Sequence, residues 1–348
     1  MVGCESGVEL TDELTDLWQK EFAPKDINHV MTNGTSMSRA RRDKFLMGEA
    51  VRNAGVRAAK QRLIGGDDFA SVEAFVDECR DEDGAFKVVL KPVASAGSEG
   101  VYFAENVEQC RKYYNEIFGS TNVFGHLNES VLIQEFLEGK EYVVDTVSVE
   151  GIHKTVAIWE YDKRPCNGAQ FVYFGMRLYE SETGEREDAL VNGWYWLAMQ
   201  RLVLVEVGSR PHGGEGTFVK MADRAIGYNQ LSVMIDAHEN RSKFYSLPER
   251  PRKHKESAME VCMVSRQEGH LAGIPLENEI RSLASFVDVE WNVTVGQNIP
   301  ITVDFITNPG AVLLVHKEKE VVEADQAKIH EMELNGLFDI RRVRLDTL

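Results

Sequence analysis

The sequence lacks the short signatures that mark the commonest nucleotide and metal enzymes. Its 348 residues contain no G-x-x-x-x-G-K-[ST], no G-x-G-x-x-G, no H-E-x-x-H and no G-x-S-x-G. A P-loop, a fingerprint dinucleotide site, a zincin and a hydrolase elbow are thereby excluded as first readings. Cysteine is scarce and unpaired: Cys4, Cys79, Cys110, Cys166 and Cys262 are odd in number, with no C-x-x-C. That excludes a disulfide framework and a zinc spacing, and fits reduced thiols in the cytoplasm. No apolar run approaches the roughly 18 residues of a membrane helix, and the N-terminus MVGCESGVELTDELTDLW has no basic-then-apolar targeting pattern. Positive charge is in deficit, with 39 Lys and Arg against 56 Asp and Glu and a net charge of −17. Nucleic acid and anionic membranes are poor partners for such a surface, and a small anion would need a focused cluster of cations.

What is present is a globular composition, 43% hydrophobic and 27% charged, enough for one large core or two to three modest ones. Leu10, Leu14 and Leu17 recur at helical spacing over Glu9 to Glu21. A helix is expected over Ser38 to Ala54, with Ser38 as N-cap and Gly55 as its stop, and others over 71–82 and 106–118. Strands are expected at 56–63, 86–91 and 100–103. An antiparallel meander follows, VLIQEF, KEYVVDTVSV and IHKTVAIWEY, then an apolar strand at Arg201 to Val207. A helix from Met221 to Ala237, a basic linker at 247–255 and a mixed α/β tail complete the chain. The fold class is α/β in the broad sense, α+β in detail.

Three stretches carry chemistry. Lys91 closes an apolar strand and precedes Ser95, Ala96, Gly97, Ser98, Glu99 and Gly100, a small-residue loop whose amides and hydroxyls suit phosphate oxygens. Gln134, Glu135, Phe136 and Leu137 end a strand where backbone can meet the edge of a planar base, and Glu141 follows within reach of a sugar. Glu206 ends the apolar run RLVLVEV, and Arg210 lies four residues on, before Pro211-His212-Gly213-Gly214. A carboxylate at a buried strand end is costly unless it is paired or holds a cation, and Mg²⁺ takes one or two carboxylates together with phosphate oxygens.

In that order and spacing, with Arg41-Arg-Asp-Lys44 ahead of them, these stretches resemble the ATP-grasp carboxylate–amine ligases. The resemblance spans about residues 38 to 235 and points to the L-amino-acid ligase and carbamoyl-phosphate-synthase-like branch. It implies an ATP-grasp fold, two α/β subdomains clasping ATP. By the same resemblance, residues 1–40 are the remnant of an N-terminal α/β domain, 41–125 a lid subdomain, 126–240 a larger subdomain and 241–348 a mixed α/β C-terminal subdomain. It implies that Lys44 and Lys91 contact ATP phosphates, that Ser95 to Gly100 closes over them, that Gln134 to Leu137 is the adenine hinge and that Glu141 holds the ribose. Glu206 would bind Mg²⁺, Arg210 would neutralise the acyl phosphate and the oxyanion, and His212, Gly213 and Gly214 would border the carboxylate substrate.

The implied cofactors are ATP and Mg²⁺, the partners a small carboxylate and an amine, and the oligomer a homodimer by default. Relatives place a further strand with a second metal ligand just before the counterpart of Arg201. Here 188–200 run directly into it, and Glu185, Glu187 and Asp188 read as a solvated acidic loop. Where many relatives have a metal-binding asparagine there is Gly208. Two alternatives fit the same residues: an ATP-binding relative with an impaired metal site, and a bicarbonate-handling carboxylase of the same superfamily.

Overall fold

The computed structural model describes residues 7–22, 33–66, 68–179, 203–212, 216–251 and 254–341. The chain divides into two compact units, Met1–Gly139 with Asp188–Pro211, and Lys140–Glu187 with His212–Leu348.

In the first unit β1 (Gln61–Gly65), β2 (Val88–Pro92), β3 (Tyr102–Ala104) and β4 (Ser130–Glu135) form an antiparallel sheet in the order β1-β4-β2-β3. Val88 and Leu90 of β2 point with Val131 and Ile133 of β4 into a core closed by the helices Phe69–Glu78 and Val107–Ile117. The second of these is capped by Asn106, whose side chain accepts from Gln109 N. VLIQEF was expected to open the meander, yet it pairs with β1 and β2. The reason is burial on both faces: Val131, Leu132 and Ile133 are all inaccessible, as in a central strand.

The expected 38–54 helix is two pieces, Ser38–Arg42 and Lys44–Asn53. Asp43 between them is extended, and its carboxylate accepts from Leu46 N at 2.8 Å, so it restarts the helix as an N-cap. The helix Val8–Phe22 also departs from expectation, because Leu10, Leu14 and Leu17 face outward while Val8, Asp12 and Thr15 are buried. Asp12 pairs with Arg41, which also donates to Gly34 O at 2.6 Å. Polar contacts dock this helix.

The second unit holds the meander β5 (Tyr142–Val149), β6 (Ile152–Cys166) and β7 (Ala169–Leu178). It is extended by β8 (Ser257–Cys262), β10 (Phe286–Trp291) and β12 (Gly310–His316) into a six-stranded antiparallel sheet, β10-β12-β8-β7-β6-β5. A smaller sheet, β11-β9-β13, joins β9 (Gly269–Gly273), β11 (Asn298–Ile299) and β13 (Asp339–Arg341). One face of the large sheet buries Trp159 and Met176 against the helix Thr217–Ala225, and the other, through Met259, Val261, Val312 and Leu314, packs on the helix Lys319–Leu334. The expected 221–237 helix is split, since Gly227 takes φ 102° and Asn229 opens a new helix, Gln230–Glu239, with a capping box to Ser232.

Gly310 fixes the β10–β12 register opposite Trp291. A Cβ there would meet Glu290 O at 2.3 Å and Trp291 Cα at 3.1 Å, both backbone atoms that cannot swing aside. Gly310→Ala is therefore expected to lower the unfolding free energy by about 3 kcal/mol, read as a lower urea midpoint. An unchanged midpoint would show that the two strands can part at no cost.

Candidate active site

The first unit gathers most of the residues singled out in the sequence. Lys44 begins the helix Lys44–Asn53. Its amide donates to Val93 O at 3.1 Å and its Nζ to Ser95 O at 2.5 Å, and the same Nζ lies 3.3 Å from Glu206 Oε1. One ammonium thus ties the base of the Lys91 loop to the carboxylate expected to hold metal. Lys91 is buried on β2, on the face opposite Val88 and Leu90. β2 and β3 make the loop 93–101 a hairpin connection.

The hairpin loop is shaped by its own contacts. Gly97, Ser98 and Gly100 take φ of 65°, 62° and 65°, and a Cβ on Gly100 would press Pro92 Cγ at 3.0 Å. The Ser95 hydroxyl, expected to face phosphate, is buried and donates to Glu99, whose other oxygen accepts from Val123 N at 3.0 Å. Asn122 Nδ2 donates to Ala94 O at 2.7 Å. Ser95 is a brace of the loop in this structure, and the half-buried residues 96–100 form its tip.

At the end of β4, Gln134 Nε2 donates to Gln61 Oε1 at 2.8 Å, and Glu135 pairs through both its amide and its carboxylate with Lys60. Phe136 N donates to Lys87 O at 3.1 Å. Leu137 is the first residue past these bonds.

Glu206 differs from expectation. Arg201 to Val207 is not a full strand: within its described part Leu204 makes one parallel bridge to Ala58, and Val205 and Val207 are exposed. Glu206 is 42% exposed, its charge answered by Lys44 and by water. Val207 N donates to Met47 Sδ at 3.1 Å, which anchors the segment. Arg210 is half-buried and its Nη1 donates to Pro211 O at 3.0 Å.

The second unit holds Glu141 and His212. Glu141 pairs with Lys163 at 2.8 Å, and its carbonyl accepts from Tyr161 N at 3.0 Å. Burial disfavours the Lys163 charge, but Tyr173 and Glu141 outweigh it and hold the ammonium above its ordinary range. Lys163 Nζ also lies 4.5 and 4.6 Å from the ring centres of Tyr161 and Tyr173. Gly213, Gly214, Glu185, Glu187, Asp188 and the aromatic run 194–196 lie outside the described residues.

Around His212 is a cluster that sequence reasoning missed. Its Nδ1 lies 3.0 and 3.1 Å from the two oxygens of Asp145, and Trp159 Nε1 donates to Asp145 Oδ2 at 2.8 Å. Its ring stacks on Phe218 at 3.7 Å, tilted by 13°. Glu260 on β8 is fully buried, and its Oε2 completes no hydrogen bond among the described residues. Loss of water pushes its carboxyl up to about 7, with the facing Thr217 hydroxyl and His212 pulling it partly back. The signals were present: Glu260 is the lone charge in the apolar run 258–264, and Asp145 interrupts YVVDTVSV.

The family profile of the phosphoribosylglycinamide synthetase ATP-grasp (A) domain matches residues 42–175. Dapdiamide A synthase of Enterobacter agglomerans is 26% identical, the alignment covering 97% of this chain and 81% of that protein. The crystal structure of an L-amino acid ligase from Bacillus licheniformis superposes with a TM-score of 0.71 at 15% identity, over 94% of this chain and 77% of that one. A carboxyaminoimidazole ribonucleotide synthase from Aspergillus clavatus, complexed with ATP, superposes with a TM-score of 0.61 at 11% identity, over 90% and 77%. The chain has the ATP-grasp fold.

The buried carboxyl of Glu260 makes stability depend on pH. Because its folded value is raised from 4.5 to about 7, the native state keeps a proton that the unfolded chain has released between those limits. Stability therefore falls as pH rises through that window. Glu260→Gln mimics the protonated form. Relative to wild type it is expected to gain on the order of 3 kcal/mol between pH 5 and pH 8 in urea unfolding, and a difference independent of pH would refute the assignment.

Proposed function

We propose that the protein joins a carboxylate, that of an amino acid, to an amine through an acyl phosphate, releasing ADP and phosphate. A carboxylate is a poor electrophile, and phosphorylation by ATP makes it reactive. That transfer is carried mainly by positioning and by cations that spread the charge. The observation that supports this reading best is Lys44, whose ammonium lies at once on Ser95 O of the hairpin and on Glu206.

In this reading Lys44 and Lys91 neutralise ATP phosphates, and the amides of Ala96, Gly97, Ser98 and Gly100 close over them. Leu137 N and the backbone of Glu135 border adenine, with Gln134 and Phe136 fixing the hinge by the bonds they already make. Glu141 holds the ribose. Arg210 faces the oxyanion that develops when the amine attacks, where a fixed guanidinium lowers the barrier. His212, Gly213 and Gly214 border the carboxylate substrate.

Glu206 fits Mg²⁺ as a single protein ligand, being solvent-accessible and partnered, among the described residues, by the flexible ammonium of Lys44. When bound, that ion would spread charge over the phosphates. No group of three or more His, Cys, Asp or Glu able to hold a metal occurs among the described residues, so ATP oxygens would complete its shell. That sparse donor set favours one second reading, an ATP-binding relative of reduced turnover.

Cys79, Cys110, Cys166 and Cys262 are free thiols, which supports action in the reducing cytoplasm. No described helix is long and apolar enough to cross a membrane. A homodimer is the expected assembly.

The test is ADP and phosphate release with pooled L-amino acids. Wild type is expected to turn over only with amino acids, and Glu206→Gln and Lys91→Ala to fall by roughly 10²-fold or more in kcat. ATP binding without turnover under any acceptor would sink the ligase reading in favour of the second one.

A further inference from the structure

At neutral pH an amine substrate arrives as an ammonium, which has no lone pair with which to attack an acyl phosphate. A ligase that uses such an amine needs a group to take the proton. The roles proposed above for Lys44, Lys91, Glu206 and Arg210 include no proton acceptor.

The second unit has one. We propose that His212 is the proton acceptor for the attacking amine and that Asp145 is its positioning residue, an inference that rests on the ligase reading above. Both oxygens of the Asp145 side chain lie within 3.1 Å of His212 Nδ1, and one already accepts from Trp159 Nε1. The proton of neutral His212 therefore sits on Nδ1, and the lone pair is on Nε2. Nε2 makes no hydrogen bond among the described residues, whereas Nδ1 is fully engaged.

The surroundings hold that tautomer and that plane. Trp159 Nε1 clamps Asp145 Oδ2 at 2.8 Å from β6, so the carboxylate cannot turn away. Phe218 stacks on one face of the imidazole at 3.7 Å, and His212 N donates to Gln230 Oε1 at 2.7 Å, fixing the main chain. The side chains of His212 and Asp145 are only 11% and 7% exposed, so their attraction is little screened.

The ionisable groups around this imidazole are Asp145 on β5 and Glu260 on β8, with Glu290 on β10 and the Cys262 thiol acting on or beside Glu260. Burial pushes Glu260 and Cys262 toward their neutral forms, so the carboxylate in contact with the ring when His212 takes a proton is that of Asp145. A histidine kept only for packing needs neither a clamped carboxylate on Nδ1 nor an unengaged Nε2.

The step balances. The amine's nitrogen forms the C–N bond and the acyl C–O bond breaks, its electron pair leaving on the phosphate oxygen. Of the two protons the ammonium loses, one goes to His212 Nε2 and on to water, and the other leaves on the inorganic phosphate. No redox partner is required.

Hydroxylamine supplies the control, because it is a neutral nucleophile near pH 7 and needs no proton acceptor. Acyl phosphate made by wild type is divided between an amino-acid amine, giving amide, and hydroxylamine, giving hydroxamate. The amide-to-hydroxamate ratio is expected to rise with pH along a single ionisation in wild type. His212→Asn should lower the ratio by roughly 10²-fold at pH 7 and abolish that limb; Asp145→Asn should lower it less and displace the limb. An equal loss of both products in variants that still melt as wild type does, or a wild-type ratio independent of pH, overturns the proposal. A wild type that forms neither product with any amino acid overturns the ligase reading itself.

Discussion

A charge taken out of water must find its counter-charge within hydrogen-bond reach, and both units are organised around that constraint. In the first, Arg41 meets Asp12 beneath the helix Val8–Phe22, and Lys44 spans the hairpin base and Glu206. In the second, Lys163 sits between two tyrosine rings and Glu141, and Asp145 is shared by Trp159 and His212. Asp325 likewise receives the amide and hydroxyl of Ser285 and the ammonium of Lys328. Glu260 is the exception, and it resolves the conflict by holding its proton.

The same constraint separates the residues proposed above to do chemistry. Lys44 and Glu206 answer each other loosely, one side chain nearly buried and the other open to water, so an incoming anion and cation can replace them without stranding a charge. His212 and Asp145 are fixed far more tightly, as suits a pair that must present one nitrogen in one protonation state. The hairpin between β2 and β3 joins both qualities, with a braced base at Ser95 and Asn122 and a backbone-lined tip.

Much of this was legible in the sequence. The hairpin, the helix that starts after Asn106 and the pairing of β5 with β6 follow from alternation, helical spacing and glycine punctuation, because those signals are local. The family resemblance supplied the ATP-grasp fold, which the superposition on an L-amino acid ligase bears out. What failed was non-local. Leu10, Leu14 and Leu17 have helical spacing, but spacing names a face and does not say whether anything covers it. VLIQEF reads as a strand, but only its neighbours decide which sheet takes it. Glu206 ends an apolar run, yet apolarity did not bury it. Asp145, Trp159 and His212 meet across separations of 14 and 67 residues, beyond what periodicity can relate.

The outward leucines of the first helix carry a consequence for motion. A helix held by directional contacts, Asp12 to Arg41 and Asp16 to Thr35, has little buried apolar area to lose when it lifts. Opening it costs a few bonds, whereas opening either large sheet exposes a core. Its amides should belong to the earliest-exchanging cooperative segment, and each opening would uncover the buried guanidinium of Arg41, two residues from the turn at Asp43 that starts the Lys44 helix. Fluctuations of this peripheral helix and the placement of Lys44 are thus coupled through a single short stretch of chain.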